Sequence, residues 1–257
     1  VNPIKDIFFS KKVTKFVGRV QGEFELIKSG DKVLVAFSGG KDSFVLLHVL
    51  KRMQLIAPFN FDLAAVTIDA GSGIDYTPLK EHCEKFGIEY IWYKTPIFEI
   101  LEEKKRPGSS PCSFCARMRR GALYTKAKEL GYNKLALGHH FDDAVETFFM
   151  GLFYNGIMRS MPPKYRAYTG LDVIRPMIKV REKWIEYMAN KNNFPIISGE
   201  ESCLAFKASD GKEPYAREKI KNWLKVMEKE NPKLFQRLES AFSNIDCDTF
   251  FMKEYLK

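Results

Sequence analysis

What this sequence lacks narrows it before any motif does. No stretch of its 257 residues approaches the roughly 18–20 uninterrupted apolar positions of a membrane-spanning helix, and the N-terminal segment has no signal-peptide core. The expectation is a cytoplasmic chain with no membrane partner. Cysteine is scarce, five residues at uneven spacing, and an odd, irregular set argues against a disulfide framework. There is a single CxxC and no HxxxH, which leaves a structural zinc short of the four ligands it usually takes. The Walker pattern GxxxxGK(S/T) is missing too. No internal repeat or low-complexity run is found.

What is present is ordinary in bulk and uneven in charge. Hydrophobic residues make up 45% and charged residues 28%, which excludes a disordered or fibrous chain. The length suits one large α/β domain with small appendages, since a single core is comfortable up to about 250–300 residues. A formal net charge of +9 favours a polyanionic partner, although solubility alone explains many such balances. The clustering sharpens it. Lys104, Lys105, Arg106, Arg117, Arg119 and Arg120 bracket the CxxC, and Arg159, Lys164 and Arg166 follow further on. Arg106, Arg117, Arg119, Arg120 and Lys164 are the candidate RNA-phosphate contacts.

Strand and helix patterns alternate along the middle of the chain. The first 30 residues carry apolar positions on a loose helical period and predict one or two helices. Strands are predicted over 32–37, 63–69, 88–93, 134–137 and 194–197, and helices over 43–53, 78–86, 96–103, 113–130, 142–154 and 181–191. A polar stretch, 199–213, precedes two more helices near 215–229 and 232–245. Alternation of this kind predicts an α/β fold with a doubly wound parallel sheet and ligands beyond the carboxyl ends of its strands. The organisation expected is an N-terminal helical segment (1–30), a central domain (31–198) and a C-terminal loop with helices (199–257).

Between the first strand and its helix lies Ser38-Gly39-Gly40-Lys41-Asp42-Ser43. Glycines let backbone N–H groups approach an anion, the helix start adds its positive end, and Lys41 adds a full charge. An ordinary tight turn needs neither the lysine nor the two flanking hydroxyls. The assignment is a phosphate site made of the Gly39 and Gly40 amides, the Ser38 and Ser43 hydroxyls and the Lys41 charge. Asp42 orients the loop or reaches Mg²⁺. Asp69, at the end of the second strand, has two readings of equal weight, a nucleoside contact or a cap on the following loop. His139, His140, Asp142 and Asp143 form a polar knot at a helix start, where Asp142 could serve simply as N-cap and either histidine could be structural. Cys83 reads as a small core residue and Cys247 as structural. Cys112 and Cys115 can share one metal ion, one iron–sulfur cluster or one persulfide.

SGGKDS is the signature of the PP-loop ATP pyrophosphatases. Together with Pro111-Cys112-Ser113-Phe114-Cys115, Arg117-Met118-Arg119-Arg120-Gly121, Leu137-Gly138-His139-His140-Phe141-Asp142-Asp143, Met161-Pro162-Pro163-Lys164 and Ile174-Arg175-Pro176, the chain resembles the tRNA 2-thiocytidine synthetase (TtcA) family over roughly residues 30–197. The resemblance implies an adenine nucleotide α-hydrolase-like fold and an ATP-dependent tRNA sulfurtransferase. It gives the Gly39 and Gly40 amides with the Ser38 and Ser43 hydroxyls the β- and γ-phosphates of ATP to hold, gives Lys41 the departing pyrophosphate to neutralise, and places Ile68 and Gly138 beside the nucleotide with Asp69. It makes His140 a positioning or proton-handling group and Asp143 a contact for Mg²⁺ or the target base. It also implies a [4Fe-4S] cluster on Cys112, Cys115 and a later cysteine. Here the family's second cysteine pair is replaced by Ser198-Gly199-Glu200-Glu201-Ser202-Cys203, so Cys203 is the candidate third ligand. Partners implied are tRNA, a sulfur donor (a cysteine desulfurase system or sulfide) and, optionally, a second copy of the chain. Tyr154 or Tyr165 is the candidate for base stacking.

Rival readings remain open at this point. A persulfide on Cys112 or Cys115 would replace the cluster and serve another pyrimidine. Lysidine formation would leave the CxxC without a role. Archaeal-type uridine thiolases carry an N-terminal zinc module that this sequence lacks. A non-catalytic RNA- or nucleotide-binding protein would form no AMP.

Overall fold

The computed structural model describes residues 3–103, 111–197 and 216–249. The candidate residues Arg106 and Cys203, the Cys112 side chain and the polar stretch 199–213 lie outside the described residues. By contacts the chain divides into two units, Val1–Asp142 with Met161–Lys212, and Asp143–Ser160 with Glu213–Lys257.

The first unit is built on a six-stranded sheet, β1 (Lys32–Ala36), β2 (Asp62–Asp69), β3 (Glu89–Lys94), β4 (Lys134–Ala136), β5 (Lys164–Arg166) and β6 (Asp172–Ile174), in the order β3-β2-β1-β4-β6-β5. All pairings are parallel except β5 with β6. Strand chemistry follows position. Central β1 and β2 are apolar on both faces, whereas edge strand β3 alternates half-buried and exposed residues. Phe37, just beyond β1, packs edge-on against Phe44 of α2 (Lys41–Ile56) at 4.8 Å. The opposite face, with Leu34, Val66, Ile68, Leu135 and Val173, meets Tyr124 and Ala127 of α5 (Pro111–Glu129). Helices therefore cover both faces. α3 (Thr77–Lys85) meets α2 through His82 and His48; α7 (Glu182–Asn192) lies on α2 and α1 (Lys11–Phe24), and α4 (Ile97–Glu103) lies beside α5.

α1 buries Val13, Val17 and Val20, one stripe at helical spacing. Gln21 clamps the turn after it, accepting from Ile27 N (3.0 Å) and donating to Ile27 O (2.6 Å). At the amino edge of the sheet Lys134 donates to Asp172 (2.9 Å) and lies 3.8 Å from Asp31. Asn133 bridges there as well, donating to Asp31 and accepting from Lys32 N.

Two departures from the sequence reading have physical causes. Residues 194–197 are not a strand. Phe194 instead stacks on His48 (4.9 Å, 2°) and Phe44 (5.1 Å, 11°), so its apolar character serves an aromatic box rather than a ladder. The hairpin of β5 and β6 was not expected, because three-residue strands are too short to show alternation. Its turn is closed by Ala167 N donating to Leu171 O (2.8 Å), with Gly170 at φ +83°.

In the second unit, α6 (Phe141–Asn155, all but its first two residues), α8 (Ala216–Glu230) and α9 (Leu234–Ala241) share aromatic contacts. Trp223 meets Phe149 and Phe153 at 5.0 and 5.6 Å, and Phe148 meets Phe242 at 5.4 Å. Among the described residues no helix is long and apolar enough to cross a membrane.

Candidate functional site

Sheet order locates the site. The connections from β1 and β2 lead outward to β3, and the next one returns across β1 to β4, so the carboxyl ends of β1 and β4 flank a topological switch point. The segment 38–43 follows β1, and 137–142 follows β4.

Gly39 has φ +84°, a conformation open to glycine, and a Cβ there would lie 3.1 Å from Ile197, whose N donates to Gly39 O (3.0 Å). Gly40 is the N-cap of α2, and the first amides of a helix have no partner inside it. Ser43 Oγ donates to Gly40 O (2.8 Å), and Ser38 Oγ lies 3.4 Å from both Ser43 Oγ and Gly40 N. The two hydroxyls thus face one another across the loop. Gly138 closes the site from β4: a Cβ there would sit 3.4 Å from the Asp42 backbone.

Lys41 is held by carboxylates. Its Nζ is 3.0 Å from Glu182 Oε1 and 3.3 Å from Asp42 Oδ1. Burial pulls its pKa down, but Asp42 and Glu182 outweigh burial and the net shift is upward, so the group stays an ammonium. Buried His140 lies between two carboxylates, Nε2 3.8 Å from Asp42 and Nδ1 3.8 Å from Asp142. Asp142 is not the N-cap of its own helix, which already begins at Phe141. It accepts from Glu182 N (2.7 Å) and Arg181 Nε (3.1 Å), and so caps α7 and fixes Glu182 near Lys41. His139 Nδ1 accepts from Arg175 Nε (3.1 Å). Glu182, Arg181 and Arg175 were missed as site residues, although Arg175 was legible as part of a motif.

Asp69 realises its capping reading: Oδ1 accepts from Gly71 N (2.9 Å) and Oδ2 from Trp92 Nε1 (3.1 Å). Ile68, one residue earlier, pairs with Tyr93 in the ladder at the same edge. Asp143 belongs to the second unit, where it accepts from Arg217 (3.1 Å); any cation it took would compete with that guanidinium.

α5 precedes β4, which begins at the amino edge, so the helix runs against the strands and its first turn lies at the carboxyl edge. Cys115 is half-buried, in no disulfide, and packs with Met118 and Ala122 on the core side. Arg117 and Arg120 are exposed and Arg119 is half-buried, so the three do not share one face. Lys164 Nζ donates to Phe24 O at the end of α1 (3.1 Å). The Tyr165 and Tyr124 hydroxyls share a 2.6 Å hydrogen bond, which ties Tyr165 into the fold, whereas Tyr154 is exposed in the second unit. Cys83 is fully buried, and burial pushes its thiol up to about 12, as a core residue requires.

A PP-loop domain model matches residues 8–200. The chain is 41% identical to the tRNA-cytidine(32) 2-sulfurtransferase of Geobacter metallireducens, over 91% of this chain and 90% of that protein. It is 42% identical to the protein of that name in Geobacter sulfurreducens, with the same coverage. Among solved structures, the U34-tRNA thiolase NcsA from Methanococcus maripaludis with its [4Fe-4S] cluster aligns with a TM-score of 0.69 and 22% identity, covering 92% of this chain and 79% of that one. That likeness supports the adenine nucleotide α-hydrolase-like fold. On the PP-loop match and on relatives so similar over nearly their whole length, the chain belongs to the tRNA 2-thiocytidine synthetase family of PP-loop proteins.

Proposed function

We propose that the protein replaces the carbonyl oxygen of a tRNA cytidine by sulfur, using ATP to activate that oxygen. The observation that carries the reading is the Ser38–Ser43 nest with its half-buried, carboxylate-held Lys41 at the switch point. The carbonyl oxygen is a poor leaving group, so it attacks the α-phosphate of ATP and leaves later as AMP. Gly39 and Gly40 amides with the Ser38 and Ser43 hydroxyls hold the β- and γ-phosphates, and Lys41 takes up charge as pyrophosphate departs. Asp42 keeps Lys41 in place and would be the carboxylate that holds Mg²⁺, which would supply positive charge to the phosphates. His140, between two carboxylates, positions Asp42.

The α5 thiols fit an iron–sulfur centre. Cys112 and Cys115 are three residues apart in the sequence, a spacing that lets two thiols share one centre, and Cys115 is half-buried and in no disulfide. With Cys203 they would hold a [4Fe-4S] cluster, which when bound supplies an iron site open to incoming sulfur. The sulfur donor is a cysteine desulfurase system or sulfide, the setting is the cytoplasm, and a homodimer is compatible with the reading.

The test uses anaerobically purified full-length protein with substrate tRNA. Lys41→Ala should lower AMP formation by about 10²–10³-fold. Cys115→Ser should lose iron and 2-thiocytidine while retaining adenylate chemistry. An unchanged nucleoside profile in tRNA from cells lacking the protein would overturn the assignment, and full thiolation by an iron-free protein would favour a persulfide.

A further inference from the structure

Three inward-lying cations of the first unit stand against carboxylates: buried Lys134 against Asp172, and half-buried Arg181 and Lys41 against Asp142 and Glu182. Arg175 is different. It is only 7% exposed, yet among the described residues no carboxylate forms an ion pair with it. Its contacts are uncharged: Nε donates to His139 Nδ1 (3.1 Å), Nη1 donates to Pro162 O (2.8 Å), and the guanidinium lies 5.1 Å over the Tyr165 ring. An arginine nitrogen can only donate, so His139 Nδ1 is the acceptor and the ring proton resides on Nε2. The guanidinium is thereby fixed in plane from several sides while its charge is left unbalanced. Burial pulls its pKa down, the Tyr165 and Tyr124 hydroxyls oppose this, and the charge of Arg120 adds to the burial. A second cation therefore stands close by, on an exposed position of α5. Desolvating a cation beside another cation is costly unless an anion joins them.

The place of this cation in the sheet says which anion. Leu137 N donates to Ile174 O (3.0 Å), so Arg175 follows β6 at the carboxyl edge beside Gly138 of β4. It lies across the PP-loop from β2 and Asp69. The β- and γ-phosphates of ATP are already served by Gly39, Gly40 and Lys41 over β1. A cytidine base is uncharged, and the α-phosphate that it attacks stays tied to those two. On the β4–β6 side the nucleic acid backbone is therefore the anion assigned, with ATP affinity as the control that separates the two.

We propose that Arg175, held by His139 and Pro162 and flanked by Arg120, is a phosphate subsite for the RNA acceptor, gripping one backbone phosphodiester beside the target cytidine. This rests on the thiolation reading above. His139 acts in it as a positioning residue.

The experiment measures binding of substrate tRNA to the full-length protein across a salt series, with ATP affinity measured in parallel. Arg175→Gln should weaken tRNA binding about 10-fold, as expected for losing one charged hydrogen-bonded contact. It should also flatten the slope of log K against log salt by about 0.7, the value for one phosphate on a single strand. Arg175→Lys should restore the slope, and ATP affinity should match wild type. A tRNA carrying a single uncharged methylphosphonate, moved along the anticodon loop, should lose affinity for wild type at one position and lose nothing further with Arg175→Gln. An unchanged slope in a folded Arg175→Gln protein, or a loss of ATP affinity in place of tRNA affinity, would overturn the proposal. So would a wild-type scan in which no phosphate matters, a result that stands even if the variant does not fold. If the phosphate footprint is found but wild type forms no 2-thiocytidine, the subsite stands and the thiolation reading falls.

Discussion

Acid should loosen this protein through two buried histidines before it touches the sheet. His48 is fully buried in α2, shares a 2.7 Å Nε2-to-Nε2 hydrogen bond with half-buried His82 of α3, stacks on Phe194 and meets Phe86 edge-on. Burial pushes His48 down to about 3, with the charge of His82 adding, and burial with the charge of Lys85 pushes His82 down to about 4. Both folded values lie below the unfolded value, near 6.5. The stability this contributes is therefore fully present above pH 6.5 and is lost as pH falls toward 4, because the unfolded chain takes up protons that the folded one refuses. Between pH 7 and pH 5 a histidine that stays neutral in the fold costs about 2 kcal/mol. His82, partly open to solvent, is discounted to about 1 kcal/mol. The sum is a large share of the about 5–15 kcal/mol that holds a domain together. Urea unfolding at pH 7, 6 and 5 should show it, and His48→Phe, which keeps the stacking and removes the titration, should lose about 2 kcal/mol less than wild type over that range. Equal losses in the two proteins, or a folded His48 titrating near pH 6 by NMR, would refute the reasoning.

Two further outcomes test the site and the frame separately. Gly39→Ala places a Cβ 3.1 Å from Ile197 in a backbone region that costs L-residues about 1–2 kcal/mol; a raised KM for ATP with a small fall in urea midpoint is expected, and an unaltered KM would mean the loop does not need that geometry. Lys134→Met removes the buried cation between Asp172 and Asp31 at the amino edge, far along the strands from the PP-loop, and leaves Asp172 with the exposed Arg166 (3.0 Å) alone. Stability should fall by about 2 kcal/mol with KM values unchanged, less than for a buried charge left wholly uncompensated, and denaturant titration showing a loss below about 1 kcal/mol would dismiss the pair as structural support.

Legibility followed the range of the interaction. The strand, glycine turn and helix of 32–56 lie next to one another in sequence, and each has a local reason: β1 is an unbroken apolar run, and SGGKDS breaks it with glycines. α3 showed its start through Thr77-Pro78, and β2 its burial through Ala64–Ile68. Glu182 carried no such signal. It stands 141 positions from Lys41, and nothing in its neighbours marks it except a place in the first turn of a helix. Arg181 is opaque for the same reason, since only the fold brings it to Asp142. The 194–197 run misled because an apolar stretch that packs on rings and one that pairs in a sheet read alike until the neighbours are known.

Those long-range partners share one origin, and it bears on how the nucleotide site is held. Glu182 reaches Lys41, Asp142 caps the helix that carries Glu182, Ile197 N is bonded to Gly39 O, and Phe194 closes the aromatic box under α2. Each of these ties involves residues 181–197, the segment after β6, and all but the Asp142 cap, which holds that segment to the start of α6, land on the PP-loop or on the helix it opens. On the proposed reading the loop supplies the anion-binding amides, but its φ +84° turn and the position of its lysine are held by a segment on the far side of the sequence. A perturbation of 181–197 should therefore reach phosphate binding while the β1–β2–β4 ladders remain intact, because those ladders close without it. This ordering also gives the acid transition a consequence beyond stability: protonating His48 or His82 breaks the stacking partner of Phe194, and so loosens the segment that pins Gly39.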